Sequence, residues 1–409
     1  MTMKSSLKML SFILCLALLL TACGNGGGTE TQANEEETSS TSGSEDTIKI
    51  GVSVVRTGGS AEGGENIYQG VQIATDMINE QGGINGRKVE LVVRDNEGDP
   101  SKGVNIIREF GQKEGVIAGI GGYLSTVMLA ETPIIKEEEF PFIVATSNVP
   151  ESVEDGLPWT FGVRMNANTT AEYALDFIER NFNTNKIAVL YEDGGYGQGA
   201  AEAMTQALEA KGLEPVALEH FNLDDQDMTA QVTRARDAGA EAVYLFGIGA
   251  SNGYVLSDMN RIGWDVPVIG EMGMVQTVVP EIAGEAAEGS YVIQTANYHD
   301  EQEREMAKEF LDRAIEKFGD VPTMAAPSAQ GFDGAMLLFT AIEKIELTGD
   351  IVQDRSALKE ALEVEAGPYE GVIRDWKQAF SVDNHDAIDV DSYLMNVWKD
   401  GVLVRSEEQ

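Results

Sequence analysis

The sequence predicts an α/β protein of two lobes, each a doubly wound parallel sheet. Three observations carry this. Short apolar runs of strand type alternate with stretches of helical spacing from Thr47 onward, and the same alternation recurs as a second series after residue 170. The chain of 409 residues is also longer than one hydrophobic core accommodates.

In order along the chain, Ile48, Ile50, Val52 and Val54 alternate as a strand does, and Ile67, Val71, Ala74 and Ile78 follow at helical spacing. Residues 89–93 then read as strand, 102–112 as helix, 116–120 as strand, 126–138 as helix and 142–145 as strand. Repeated βαβ units require a parallel sheet covered on both faces. The second series reads as helix over 170–181, strand over 186–191, helix over 199–211, strand over 242–246, helix over 251–262 and strand over 266–269. Past Tyr298 the pattern turns helical over 302–317, 330–345 and 356–363. The chain ends in a hairpin signal, with 393–398 and 402–405 flanking Lys399-Asp400-Gly401.

Composition narrows the function. Asp and Glu number 68 against 29 Lys and Arg, a net charge of −39, and such a field repels phosphate backbones, so nucleic acid is excluded as a partner. Both cysteines, Cys15 and Cys23, lie at the N-terminus, and His220, His299 and His385 form no metal-ligand spacing. Neither a cofactor nor a metal is expected. Gly247-Ile248-Gly249-Ala250-Ser251-Asn252-Gly253 loosely resembles a dinucleotide-binding turn, but its third glycine is misplaced, and the chain has neither a P-loop nor a Gly-x-Ser-x-Gly elbow. The reading is therefore of a binding protein and not an enzyme.

Lys4 and Lys8 precede an apolar run over residues 9–20, too short to span a bilayer as a helix, which marks residues 1–22 as an export signal. Leu20-Thr21-Ala22-Cys23-Gly24 resembles the lipobox of bacterial lipoproteins. That resemblance implies acylation of Cys23, which becomes the mature N-terminus and anchors the protein to the membrane through lipid alone. Residues 24–45 are Gly, Ser, Thr, Asn, Gln and Glu with Ala33 the only apolar residue, so residues 23–46 read as a flexible tether.

Several stretches resemble one family. Ile84-Asn85-Gly86-Arg87-Lys88-Val89-Glu90-Leu91 after Glu80-Gln81-Gly82-Gly83, then Asp95 and Asp99-Pro100, are similar to the first lobe of type I periplasmic binding proteins of the branched-chain amino-acid group. Lys186-Ile187-Ala188-Val189-Leu190-Tyr191 with Tyr196-Gly197-Gln198-Gly199, the run from Ala283 to Gly289, and Gly331-Phe332-Asp333-Gly334-Ala335 extend the resemblance to residue 405. It implies three crossings between the lobes, near residues 164, 297 and 371. The first lobe would then comprise 47–164 plus 297–370, and the second 165–296 plus 371–409. It also implies a monomer that captures a small ligand, a branched-chain or other small amino acid, and delivers it to an ABC permease. A sensory protein that presents ligand to a membrane receptor would use the same fold.

The candidate ligand residues gather at strand ends. Ser125 stands at a helix start, where N–H groups favour an anion, and matches the family serine that holds a carboxylate. Thr146, Ser147 and Asn148 end the following strand, at the sheet edge where α/β clefts lie. Tyr196 lies in a glycine-rich loop and matches the second-lobe tyrosine, and Tyr123 is a candidate for the cleft wall. Three positions depart from the family pattern. Gly63 stands where relatives carry an aromatic wall, and the loop Gly247-Ile248-Gly249-Ala250 lacks a tyrosine. Met272 aligns with the acid that pairs with a ligand ammonium, while Glu271 is one residue away; strand alternation turns it from the cleft unless the loop compensates, and both stand as candidate ligand residues, Glu271 as the acid that would meet a ligand amine. The altered ammonium side leaves open a small amide, a urea-like compound or a carboxylate as ligand. Arg56 and Arg164 are unusual cations in so acidic a chain; either is able to hold a carboxylate by a bidentate contact, and both are expected on the solvated surface.

Overall fold

A computed structural model describes residues 47–113 and 115–407. The signal, the tether and Cys23 lie outside the described residues.

The first sheet is built from β1 (Thr47–Val54), β2 (Lys88–Asp95), β3 (Ala118–Gly121), β4 (Phe142–Val144) and β5 (Thr160–Gly162), with α1 (Ala61–Glu80), α2 (Pro100–Gln112), α3 (Ser125–Glu137) and the short α4 (Glu151–Glu154) between them. Its order is β2-β1-β3-β4-β5, every pair parallel. Ile50, Val52 and Val54 are fully buried, as a strand covered on both faces demands. The Asp99-Pro100 step starts α2: the Asp99 carboxylate accepts from the Ser101 and Lys102 N–H groups, and Pro100 occupies the first helical position, where no donor is needed.

The second lobe repeats the plan. α5 (Ala167–Phe182), β6 (Ile187–Glu192), α6 (Gly195–Ala210), β7 (Ala217–Phe221), α7 (Thr229–Asp237), β8 (Ala242–Phe246), α8 (Ala250–Arg261), β9 (Val268–Gly270), α9 (Val278–Ala283) and β10 (Tyr291–Gln294) follow in turn. The parallel strands stand in the order β7-β6-β8-β9-β10, the same winding as the first sheet. The polar, half-exposed β7 and α7 carried no clear periodicity in the sequence.

The late helices α10 (Glu305–Phe318), α11 (Ala325–Glu343) and α12 (Ile351–Glu365) cover the first sheet. Asn66 of α1 donates to the Thr323 hydroxyl and accepts from Met324 N–H ahead of α11, while Arg355 of α12 donates to the carbonyls of Phe110, Gly111 and Val116. Past residue 371, where the sequence suggests a return to the second lobe, the chain stays on the first. The Asp333 carboxylate of α11 accepts from the N–H groups of Val372 and Ile373 and from Trp376 Nε1 beside the small β11 (Tyr369–Glu370) and β12 (Asp375–Trp376). Residues 385–387 bond to Gly162 along the open edge of β5, and Phe380 packs edge-on against Phe161. Only then does β13 (Leu394–Lys399) add antiparallel to β10 and β14 (Val402–Arg405) antiparallel to β13, the hairpin expected from Lys399-Asp400-Gly401.

Candidate ligand-binding site

In each sheet the winding reverses at one place, between β1 and β3 and between β6 and β8. A crevice opens outside the carboxyl ends of strands at such a point, and ligands of open α/β sheets bind there. The turn after β3 leads into α3 and the turn after β6 leads into α6, so both reversal points deliver a helix N-terminus.

On the first lobe, Ser125 is the first residue of α3 and buried. The Ser147 hydroxyl donates to the Ser125 hydroxyl at 3.1 Å, and the Thr146 hydroxyl and Ser147 N–H both bond the Gly122 carbonyl at 2.8 Å. The Thr146 proton is thus committed to its own lobe. Arg164, expected on the surface, is instead completely buried: it donates to the carbonyls of Ser147 and Val149 at 3.1 and 3.0 Å and pairs with Asp386 at 3.0 Å. Fixed carbonyls and a carboxylate on three sides replace the water a guanidinium would otherwise need. Arg56 does lie at the surface, paired with Glu65 at 2.8 Å.

On the second lobe, Tyr196 lies in the first turn of α6 and not in a loop; the buried Glu192 carboxylate accepts from the N–H groups of Gly194 and Gly197 and so fixes that turn. The Tyr196 ring leans on Phe246, and its hydroxyl accepts from Gly273 N–H at 3.4 Å. Glu271 sits between β9 and a 3-10 turn, Met272–Met274. That turn ends the strand alternation, so Glu271 does not point outward: its side chain is fully buried, and Asn148 of the first lobe donates to it at 2.8 Å. Met272 is buried in the apolar core.

The two halves meet. Besides the Asn148–Glu271 bond, Gly195 N–H donates to the Thr126 hydroxyl at 2.9 Å, Gln276 Nε2 donates to the Tyr123 hydroxyl at 2.9 Å, and Thr277 N–H donates to the Glu62 carboxylate at 3.2 Å. Ser125, Ser147, Asn148, Tyr196, Glu271 and Tyr123 therefore lie along one interlobe seam. Burial pushes Glu271 up to about 7, against hydrogen bonds from Tyr196, Thr170 and Asn148 and the field of Arg164, which pull it down. Burial also raises both tyrosine hydroxyls, so they remain protonated. Beside the seam lies a cavity of about 350 Å³ lined by Leu124, Ser125, Thr126, Glu192, Tyr196 and Ile248, among others. Thr126, Thr170, Gln276 and Glu62 were not legible as residues of the seam, because polar side chains in helix starts and turns ordinarily cap backbone.

The architecture is matched by known proteins. A family model described as periplasmic binding protein matches residues 47–401. The chain belongs to the periplasmic binding protein family. Among curated family relatives, Leu/Ile/Val-binding protein homolog 3 of Brucella melitensis is 27% identical over 318 residues, covering 78% of this chain and 84% of the relative. Leu/Ile/Val-binding protein homolog 1 of Brucella suis is 25% identical, covering 87% and 91%. The crystal structure of a leucine binding protein, LivK, from Thermotoga maritima superposes with a TM-score of 0.77 at 25% identity, covering 88% of this chain and 97% of that one. A type 1 periplasmic binding protein from Bordetella pertussis gives 0.76 at 25% identity, with coverage of 88% and 100%. As a periplasmic binding protein of type I, this chain is a solute-binding protein. No helix among the described residues is long and apolar enough to cross a membrane.

Proposed function

We propose that the protein captures a small amino acid between its lobes and passes it to an ABC permease, held at the membrane by a lipid on Cys23. In this reading the ligand carboxylate rests on the Ser125 end of α3 and on residues 146–148, and its ammonium faces Glu271. The observation that carries it is Glu271 itself, a fully buried carboxyl near pH 7 that makes no ion pair among the described residues. An ammonium arriving beside it would complete a buried pair, and without one the charge is costly to keep. Asn148 Oδ1, buried and without a partner among the described residues, supplies a second acceptor next to Glu271. The names of the relatives, Leu/Ile/Val-binding proteins, support a branched-chain side chain.

A second reading has one observation in its favour: with its carboxyl raised to about 7, Glu271 is partly protonated at neutral pH and could donate to the carbonyl of a small amide. From the contacts of residues 371–388 we assign the lobes as 47–164 with 297–388, and 165–296 with 389–407, with lobe closure about these crossings.

A thermal-shift screen separates the readings. A branched-chain amino acid at 100 times its Kd should raise the unfolding free energy by about 2.7 kcal/mol, while the matching amide and des-amino acid should give little. Stabilisation by the amide alone would favour the second reading.

A further inference from the structure

We propose that Tyr123 and Gln276 form a bolt that holds the two lobes together independently of ligand, seated in notches left by Gly63 and Gly249. The inference rests on the reading above only in taking the interlobe seam as the ligand site.

The first notch is at α1. A Cβ placed on Gly63 would lie 1.9 Å from Cζ of Tyr123 and 2.1 and 2.5 Å from its two Cε atoms, so the ring occupies the space any side chain at 63 would need. The aromatic wall that the sequence lacks at position 63 is therefore supplied by residue 123. The second notch is in the turn before α8. The Gln276 Oε1 atom lies 2.1 Å from where a Cβ on Gly249 would stand, and Gly249 has φ +56°, a conformation that favours glycine. Confined there, the Gln276 amide presents its Nε2 to the Tyr123 hydroxyl at 2.9 Å. Both side chains are buried, Tyr123 at 7% and Gln276 at 1% exposure. At the rim next to it, the Glu62 carboxylate accepts from the N–H and the hydroxyl of Thr277, so neighbouring residues on each lobe carry parallel bonds.

The bolt has a consequence for energetics. When the lobes part, water satisfies both Tyr123 and Gln276. When they close, each is the other's partner, and removing one leaves a buried polar group unsatisfied in the closed form alone. Tyr123→Phe should then favour opening while keeping the aromatic wall, and Gly63→Ala should do so by expelling the ring.

Hydrogen exchange on the full chain, with no ligand added, reads this directly. The Thr277 and Gly195 N–H groups bond across the seam, whereas the Val52 and Leu245 N–H groups report the two sheet cores. The expected result is exchange about tenfold faster at Thr277 and Gly195 in both variants, with the sheet amides unchanged. Equal exchange at the seam in wild type and Tyr123→Phe overturns the bolt, and Tyr123→Phe avoids any folding defect that Gly63→Ala brings. Titration of the same proteins with L-leucine keeps the two ideas apart. Faster seam exchange with no leucine binding in any protein supports the bolt while removing the amino-acid reading. Unchanged exchange with tight leucine binding does the reverse.

Discussion

Two buried glutamates, one inside a lobe and one between lobes, have different fates. Glu131 of α3 is enclosed in the first lobe, where the Ser53 hydroxyl donates to it at 2.7 Å and its other oxygen has no partner among the described residues. Burial pushes it up to about 8. Glu271 is as deeply buried, yet donors from both lobes and the field of Arg164 hold it to about 7. Equal burial therefore does not mean equal chemistry. A carboxyl with a single donor is pushed further toward its protonated form than one with several donors and a nearby guanidinium, and under the proposed function it is the second that meets a ligand cation.

The largest effect expected from breaking this contrast is at Arg164. Arg164→Met takes the guanidinium from the Ser147 and Val149 carbonyls, which keep Ser152 as donor, and leaves Asp386 without its counter-charge and with the Asn166 amide as its remaining side-chain donor among the described residues, and should cost about 3–5 kcal/mol in denaturant unfolding. It should also move Glu271 up toward the value of Glu131, seen as a shift to higher pH in the pH profile of ligand affinity. Next in size is Ser125→Ala, on the same helix as Glu131. If Ser125 holds a ligand carboxylate, calorimetric titration should find binding weakened by about 1.5–3 kcal/mol, beyond the roughly 1 kcal/mol of ligand-free stability lost with the acceptor of the Ser147 hydroxyl.

The smallest effect, read below pH 4.5 where the wild-type carboxyl is protonated in folded and unfolded chain alike, should come from Glu131→Gln, which imitates that protonated form and should change stability there by less than about 1 kcal/mol. Its pH dependence is the sharper test. A carboxyl raised from 4.5 to about 8 on folding contributes stability that is complete below 4.5 and is lost as pH rises through about 8. Urea midpoints should therefore fall with rising pH in wild type more steeply than in Glu131→Gln, and ligand affinity should not change.

The sequence made the periodic parts legible. Strands buried on both faces, the late helices and the closing hairpin announce themselves by apolar spacing and turn residues, and the Asp99-Pro100 helix start reads directly. Ser125, Ser147, Asn148 and Tyr196 were legible as candidates, because strand ends at a winding reversal are few, and the structure gathers them at one interlobe seam. What stayed hidden depends on partners far along the chain. Arg164 reads as a surface residue until Asp386, 222 residues later, returns beside β5. Strand alternation alone leaves the direction of Glu271 open, and the 3-10 turn after it is what decides it. The place of residues 371–388 is set by Asp333 and the open edge of the first sheet, which no local pattern records.

The most direct test of Glu271 as the counter-charge compares the best-bound amino acid from the thermal screen with its des-amino acid, titrated calorimetrically into wild type and Glu271→Gln from pH 5 to 8. In wild type the amino acid should bind far more tightly than the des-amino acid, with affinity rising about tenfold per pH unit and levelling above about 7, where Glu271 is ionised. Glu271→Gln should abolish both the preference and the slope. Equal affinity for the two compounds in wild type, or a preference that survives Glu271→Gln with no pH dependence, would contradict an ammonium held at Glu271.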